Sequence, residues 1–104
     1  MAKAKTLKLE KIINILRKHK EELKKKYHLK KIGIFGSYVR GEQSSKSDVD
    51  ILVEFEEDAK IGLLEFINME NYLSDLLGVK VDLVERVALK PRIGKHILKE
   101  VIFI

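Results

Sequence analysis

The sequence contains no cysteine. Disulfides and thiolate metal sites are therefore excluded. Its three histidines, His19, His28 and His96, are scattered without metal-ligand spacing and read as surface residues. Aromatic residues make up only 7%. They do not interleave with basic residues as a stacking platform for single-stranded nucleic acid requires. No apolar run approaches the roughly 18 residues of a membrane span. The start, Met1 to Lys5, is basic but lacks the apolar stretch and small-residue cleavage site of a signal peptide. No repeat, low-complexity segment or linker interrupts the chain. A cytoplasmic protein without membrane contact is expected, with nucleic acid a disfavoured partner.

What is present is a charge-rich chain of 104 residues, 45% hydrophobic and 36% charged. That length suits one domain, residues 1–104, and the mixture reads as globular. The net charge is +5, which favours anionic partners such as nucleotides. Much of the positive charge precedes Lys31, with Lys24, Lys25 and Lys26 in one run. A solvated helix face accounts for that run.

The periodicity gives an α+β chain. From Leu7 to Tyr27, apolar residues at Leu9, Ile12, Ile13, Leu16, Leu23 and Tyr27 have helical spacing. Lys31 to Phe35 reads as a strand, broken by Gly36-Ser37, with a short helical turn from Tyr38 to Gly41. Gln43 to Ser47 is a loop. Val49 to Phe55 is a second strand, with Val49, Ile51, Val53 and Phe55 alternating against Asp50, Leu52 and Glu54. An acidic turn, Glu56 to Lys60, leads to a helix over Ile61–Leu77, stopped by Gly78. Val79 to Glu85 is a third strand. Pro91 opens a final helical segment. The apolar tail Val101–Ile104 fits either a helix end or an edge strand.

The candidate chemistry lies between Gly36 and Asp82. Asp48 and Asp50 stand two apart at a strand entrance, so alternation sends both carboxylates to one face. Such a pair repels itself unless a cation lies nearby. Mg²⁺ suits it, because that ion takes oxygen ligands from one or two carboxylates plus substrate phosphates. In isolation, Asp-x-Asp is more often an exposed polar face. Gly36-Ser37 could bring backbone N–H groups and a hydroxyl to a phosphate. Arg40, three residues on, could pair with phosphate oxygens. Singly, these are an ordinary turn and a surface charge. Asp82 interrupts an apolar strand, where a charge is costly to bury alone. If that strand lies beside the second, Asp82 approaches Asp48 and Asp50. Otherwise it pairs with Lys80 or another base. Ser47 reads as a loop cap. Arg86, Lys90 and Arg92 are either phosphate contacts or solvated charges.

The stretch GSYVRGEQSSKSDVDILV, Gly36 to Val53, resembles the signature of the DNA polymerase β-like nucleotidyltransferase superfamily. Ten residues, Tyr38 to Ser47, separate Ser37 from the Asp-hydrophobic-Asp-hydrophobic run. Arg-Gly after Gly-Ser, and Ser-Asp at the carboxylate pair, are similar to the minimal nucleotidyltransferases. Val81-Asp82-Leu83-Val84 fits the third carboxylate. Val39 stands where relatives commonly carry alanine.

The resemblance implies a three-stranded mixed sheet flanked by helices. It implies triphosphate at Gly36 and Ser37, and one or two Mg²⁺ at Asp48 and Asp50. Asp82 would complete the site and help activate the acceptor hydroxyl. Larger relatives carry a helical domain for base or acceptor, so part of the acceptor site is expected from another polypeptide. Many minimal members are antitoxins of HEPN-domain ribonuclease toxins, and some transfer AMP from ATP to a toxin tyrosine. Two alternatives remain: a binder that neutralises without catalysis, through the apolar faces of Leu9–Tyr27 and Ile93–Ile104, and a transferase acting on RNA. Tyr38, beside Ser37, is conceivable as a self-modified residue, although a packing role is favoured.

Overall fold

A computed structural model describes residues 8–104. The basic start at Met1–Lys5 and the expected helix start at Leu7 lie outside the described residues. Helix α1, Leu9–Tyr27, buries Ile12, Leu16, Leu23 and Tyr27 along one stripe. Its last turn carries Lys24, Lys25 and Lys26, where positive charge complements the helix dipole. His28 ends it in the left-handed region, at φ 55°, and its N–H donates to the Lys24 carbonyl. That reversal sends the chain straight into β1, Leu29–Phe35. The strand therefore starts two residues before Lys31, the expected start, and His28 is a helix cap.

Gly36 breaks β1, and the single turn α2 follows over Ser37–Arg40. Strand β2 is Val49–Phe55, helix α3 is Leu63–Leu77 and strand β3 is Val81–Glu85. Helix α3 begins later than Ile61 because the Gly62 N–H donates to the Glu65 carboxylate at 3.1 Å, a side-chain cap. Gly78, at φ 75°, ends it as expected. A 3₁₀ turn, Arg86–Ala88, leads to α4, Pro91–Glu100, and to β4, Ile102–Phe103.

The sheet order is β3-β2-β1-β4. It holds four strands among the described residues, one more than the resemblance implies, because the tail left open at Val101–Ile104 pairs antiparallel with β1. Strands β1 and β2 are antiparallel, so the segment from Phe35 to Asp48 need not cross over. The parallel pair is β2 with β3, joined by the crossover helix α3, the connection that parallel neighbours need.

One sheet face, with Ile32, Ile34, Val49, Ile51, Val53, Val81 and Leu83, forms the core against α1 and α3. Each fully buried aliphatic side chain there contributes about 1.5–3 kcal/mol. The other face is not the polar surface that alternation suggests. Leu52, grouped with Asp50 and Glu54, is only 1% exposed, and Phe35 is also buried. A cleft separates this second face from α4, and Asp50 lines it. The stripe of α1 is committed to the core, which removes it as a free interface. On the final segment Ile93, Leu98 and Phe103 stay partly exposed.

Candidate active site

Gly36 is the pivot of the site. Its φ is 87°, a region that L side chains rarely adopt. A Cβ placed on it would collide with the Asp50 carboxylate, standing 2.9 Å from Cγ and 3.2 Å from Cβ of that residue. Glycine is needed for two reasons at once: backbone conformation and close approach. The Gly36 carbonyl accepts from Val39 and Arg40 N–H at 3.0 and 3.1 Å, and Glu42 N–H reaches the Ser37 carbonyl at 2.9 Å. This winds residues 36–42 into a tight turn that leaves Ser37 half-buried and Arg40 at the rim.

The carboxylates come from the parallel pair. Asp50 is directly opposite Asp82, and Val49 opposite Val81. Neighbouring strands lie about 4.8 Å apart, so the two acidic side chains start as close neighbours on one face. Asp48 stands one residue before β2, where Val49 N–H donates to the Lys80 carbonyl at 2.9 Å. Ser47, just before it, accepts from Ser44 N–H at 2.9 Å, a loop-capping role. Asp50 is half-buried, whereas Asp82 is exposed. Desolvation does not constrain Asp82, contrary to the cost expected for a charge within an apolar strand. Asp82 makes no ion pair among the described residues, and none with Lys80.

Burial, then the charges of Asp82 and Asp48, push the Asp50 carboxyl up to about 6. Burial thus opposes the charged carboxylate first and repulsion second, and a divalent cation beside it would offset both. Among the described residues, no three carboxylates or histidines close into a metal cage. The arrangement fits Mg²⁺ in its usual open form, in which carboxylates share the ion with substrate phosphates and water.

Strand β3 is the sheet edge, and its outward N–H groups are capped from α3. Val81 N–H donates to Ser74 Oγ at 2.9 Å, and Leu83 N–H to Glu70 Oε2 at 2.8 Å. Asp82 lies between these two anchors. Neither Ser74 nor Glu70 stands out in the sequence, although both lie on one side of α3, one helical turn apart.

Opposite Asp50, α4 supplies the far wall. Phe35, Gly36, Arg40, Asp50, Ile93 and Glu100 line a cleft of about 410 Å³, within the usual size of ligand sites. Arg40 faces two carboxylates: Nε donates to Glu42 at 2.9 Å, and Nη1 to both Glu100 oxygens at 3.1 Å. Glu100 also accepts from Gly36 N–H at 2.6 Å. Glu100 is the residue that the sequence hides most completely, since it is one charge among many near the end of an amphipathic helix. His96 is exposed, as expected for a surface residue, and stands at this cleft.

Other candidates fall away. Tyr38 is 3% exposed. Burial, and secondarily the Asp48 charge, push its phenol up from its ordinary value, which suits a packing residue and not a nucleophile. Arg86 is tied to Glu54 at 3.1 Å. A larger pocket of about 600 Å³ between the end of α1 and α3, at Lys26, Tyr27 and Tyr72, holds none of Asp48, Asp50 and Asp82. No helix among the described residues is long and apolar enough to cross a membrane.

The chain is similar to known proteins over most of its length. The family described as nucleotidyltransferase domain matches residues 16–104. The protein adenylyltransferase MntA of Thermococcus cleftensis is 52% identical over 98 residues, covering 94% of this chain and 97% of that protein. A solved structure described as a minimal nucleotidyltransferase superposes with a TM-score of 0.75 at 35% identity, covering 92% of this chain and 95% of that one. A crystal structure of a toxin–antitoxin with AMP-PNP superposes with a TM-score of 0.67 at 26% identity, covering 93% and 72%.

Proposed function

Because the chain belongs to the nucleotidyltransferase domain family, we propose that it moves AMP from ATP to a tyrosine of a HEPN-domain toxin and thereby acts as its cytoplasmic antitoxin. The observation that carries the chemistry is the Asp50–Asp82 register, with Gly36 closed against Asp50. The nucleotide and partner parts rest on the toxin–antitoxin structure with AMP-PNP and on the adenylyltransferase relative.

In this reading, Gly36 N–H, the Ser37 hydroxyl and Arg40 hold triphosphate oxygens. The acceptor oxygen attacks the α-phosphorus, a P–O bond forms, and the bond to the β-phosphate oxygen breaks to release pyrophosphate. Asp82, exposed on the acceptor side, takes the proton of the attacking hydroxyl. Asp48, Asp50 and Asp82 would hold one or two Mg²⁺, which supply positive charge against the charge developing on the phosphoryl group. The partner would supply the acceptor and, with it, part of the cleft wall.

The test is incubation with α-³²P-labelled ATP and Mg²⁺, with and without the protein encoded beside it. Native protein is compared with the Asp48→Asn/Asp50→Asn double variant. Label on the neighbour that requires both carboxylates supports the proposal. A tight complex with no label on either protein would replace it with non-catalytic neutralisation. Label on added RNA instead would make RNA the acceptor.

A further inference from the structure

We infer that Glu100 occupies the phosphate-binding donors of the nucleotide-free site, and that an incoming polyphosphate must displace it. The inference rests on the reading above, in which Gly36 and Arg40 meet the triphosphate.

Gly36 N–H and Arg40 Nη1 are the donors a phosphate oxygen needs, and both already hold one carboxylate. Glu100 Oε2 accepts from Gly36 at 2.6 Å, and both its oxygens accept from Arg40 at 3.1 Å. These are charge-assisted bonds, the strong class, and carboxylate and phosphate compete for them on equal geometric terms. The Glu100 side chain is 25% exposed, so it has given up much of its water for those partners.

Its place in the chain argues the same way. Glu100 is the last residue of α4, where the helix dipole disfavours a negative charge. Its own helix does not stabilise it there; the donors across the cleft do. It also adds a negative charge beside Asp50, which burial and neighbouring carboxylates already oppose. A triphosphate brings more charge of the same sign to the same donors, but it arrives with cations that answer the carboxylates. The residues that follow are pinned to β1, with Ile102 opposite Ile34 and Phe103 opposite Gly33. Displacement is therefore a rotation of the Glu100 side chain out of the cleft, with the α4 backbone in place. Glu100 would set a threshold: a ligand must carry enough negative charge to outbid it, which favours polyphosphates over a monophosphate.

The experiment measures binding of ATP with Mg²⁺, and of tripolyphosphate alone, to full-length native protein and to Glu100→Gln and Glu100→Ala, by calorimetry. Removing an internal competitor should tighten tripolyphosphate by about tenfold in both variants, with at least as large a gain for AMP, which the threshold penalises most. In native protein, the Gly36 amide and Glu100 carboxyl resonances should shift together as tripolyphosphate saturates the site. This second measurement needs no substitution. Unchanged or weaker binding in the variants, or a Glu100 resonance that stays put at saturation, would make Glu100 a fixed brace for Arg40 and overturn the inference. Native protein that binds neither ATP nor tripolyphosphate would instead overturn the nucleotide site itself.

Discussion

The Asp50 carboxylate fills the space that a side chain on Gly36 would need. The turn that presents backbone N–H and the strand that presents the carboxylate are therefore fitted to each other to within a methyl group. Gly36→Ala should fail twice, through the positive φ and through the collision. The expected cost is about 1–3 kcal/mol of stability. Nucleotidyl transfer should fall at least about a hundredfold, as Asp50 is pushed from its place. Thermal unfolding and the labelled-ATP assay measure both. Near-native transfer by this variant would show that the Gly36–Asp50 fit is not needed.

Asp50 couples stability to pH in the direction opposite to that of most carboxylates. Its native pKa, about 6, lies above its ordinary 3.8. The folded protein thus holds this proton more tightly than the unfolded chain does. The stabilisation is complete below the unfolded value and is lost as pH rises through the native one. Without metal, unfolding midpoints should fall between about pH 4 and pH 7 in the native protein, and this component should vanish in Asp50→Asn. At pH 7 the Asn variant should be the more stable protein and the inactive one. Mg²⁺ must displace the proton, so its affinity should drop towards about tenfold per pH unit below 6. Calorimetric Mg²⁺ titrations at several pH values, with ATP present, test this. An Asn variant less stable than the native protein at pH 7 would contradict the cost of holding a charged carboxylate at this half-buried position.

Much of this site is legible in the chain because its chemistry is local. Gly36, Ser37, Asp48 and Asp50 lie within one short segment, and two-residue alternation alone orients the two carboxylates. Asp82 is legible at one remove, through the apolar strand around it. Glu100, Glu70 and Ser74 are not, since each acts through a contact made only after folding, across 64, 13 and 7 residues. The same reason hides Leu52. Alternation assigns it to the polar side with Asp50, but the second face is covered as well. The tail at Val101–Ile104 is undecidable locally, because a two-residue strand is defined by its partner and not by its own pattern.

The anchors of β3 give a separable prediction. Ser74→Ala and Glu70→Ala should each leave one edge N–H without its acceptor, at a cost of about 1–2 kcal/mol. The amides of Val81 and Leu83, respectively, should exchange faster with solvent. Transfer should fall about threefold to tenfold as Asp82 loosens, with ATP affinity nearly unchanged. Hydrogen exchange followed by NMR, alongside steady-state assays, distinguishes this from global destabilisation. Uniformly faster exchange over the whole sheet would show that α3 does not position Asp82 specifically.

Gly33 tests whether β4 fixes the far wall of the cleft. A Cβ there would stand 2.7 Å from Val101 Cγ2 and 3.0 Å from the Ile102 carbonyl oxygen. The first neighbour can shift, but the second is backbone within the β1–β4 pairing. Gly33→Ala should therefore push β4 from the sheet edge, at about 1–3 kcal/mol. Glu100 lies two residues before β4 and would lose its fixed distance to Gly36 and Arg40. Slower transfer is expected with a weakened Gly36–Glu100 bond, seen as an upfield shift of the Gly36 amide proton. The Ile34–Ile51 pairing should be undisturbed, because it lies on the β2 side of β1. If the Gly36 amide stays unchanged while the protein is destabilised, then α4 holds Glu100 without help from β4, and the last strand only closes the sheet edge.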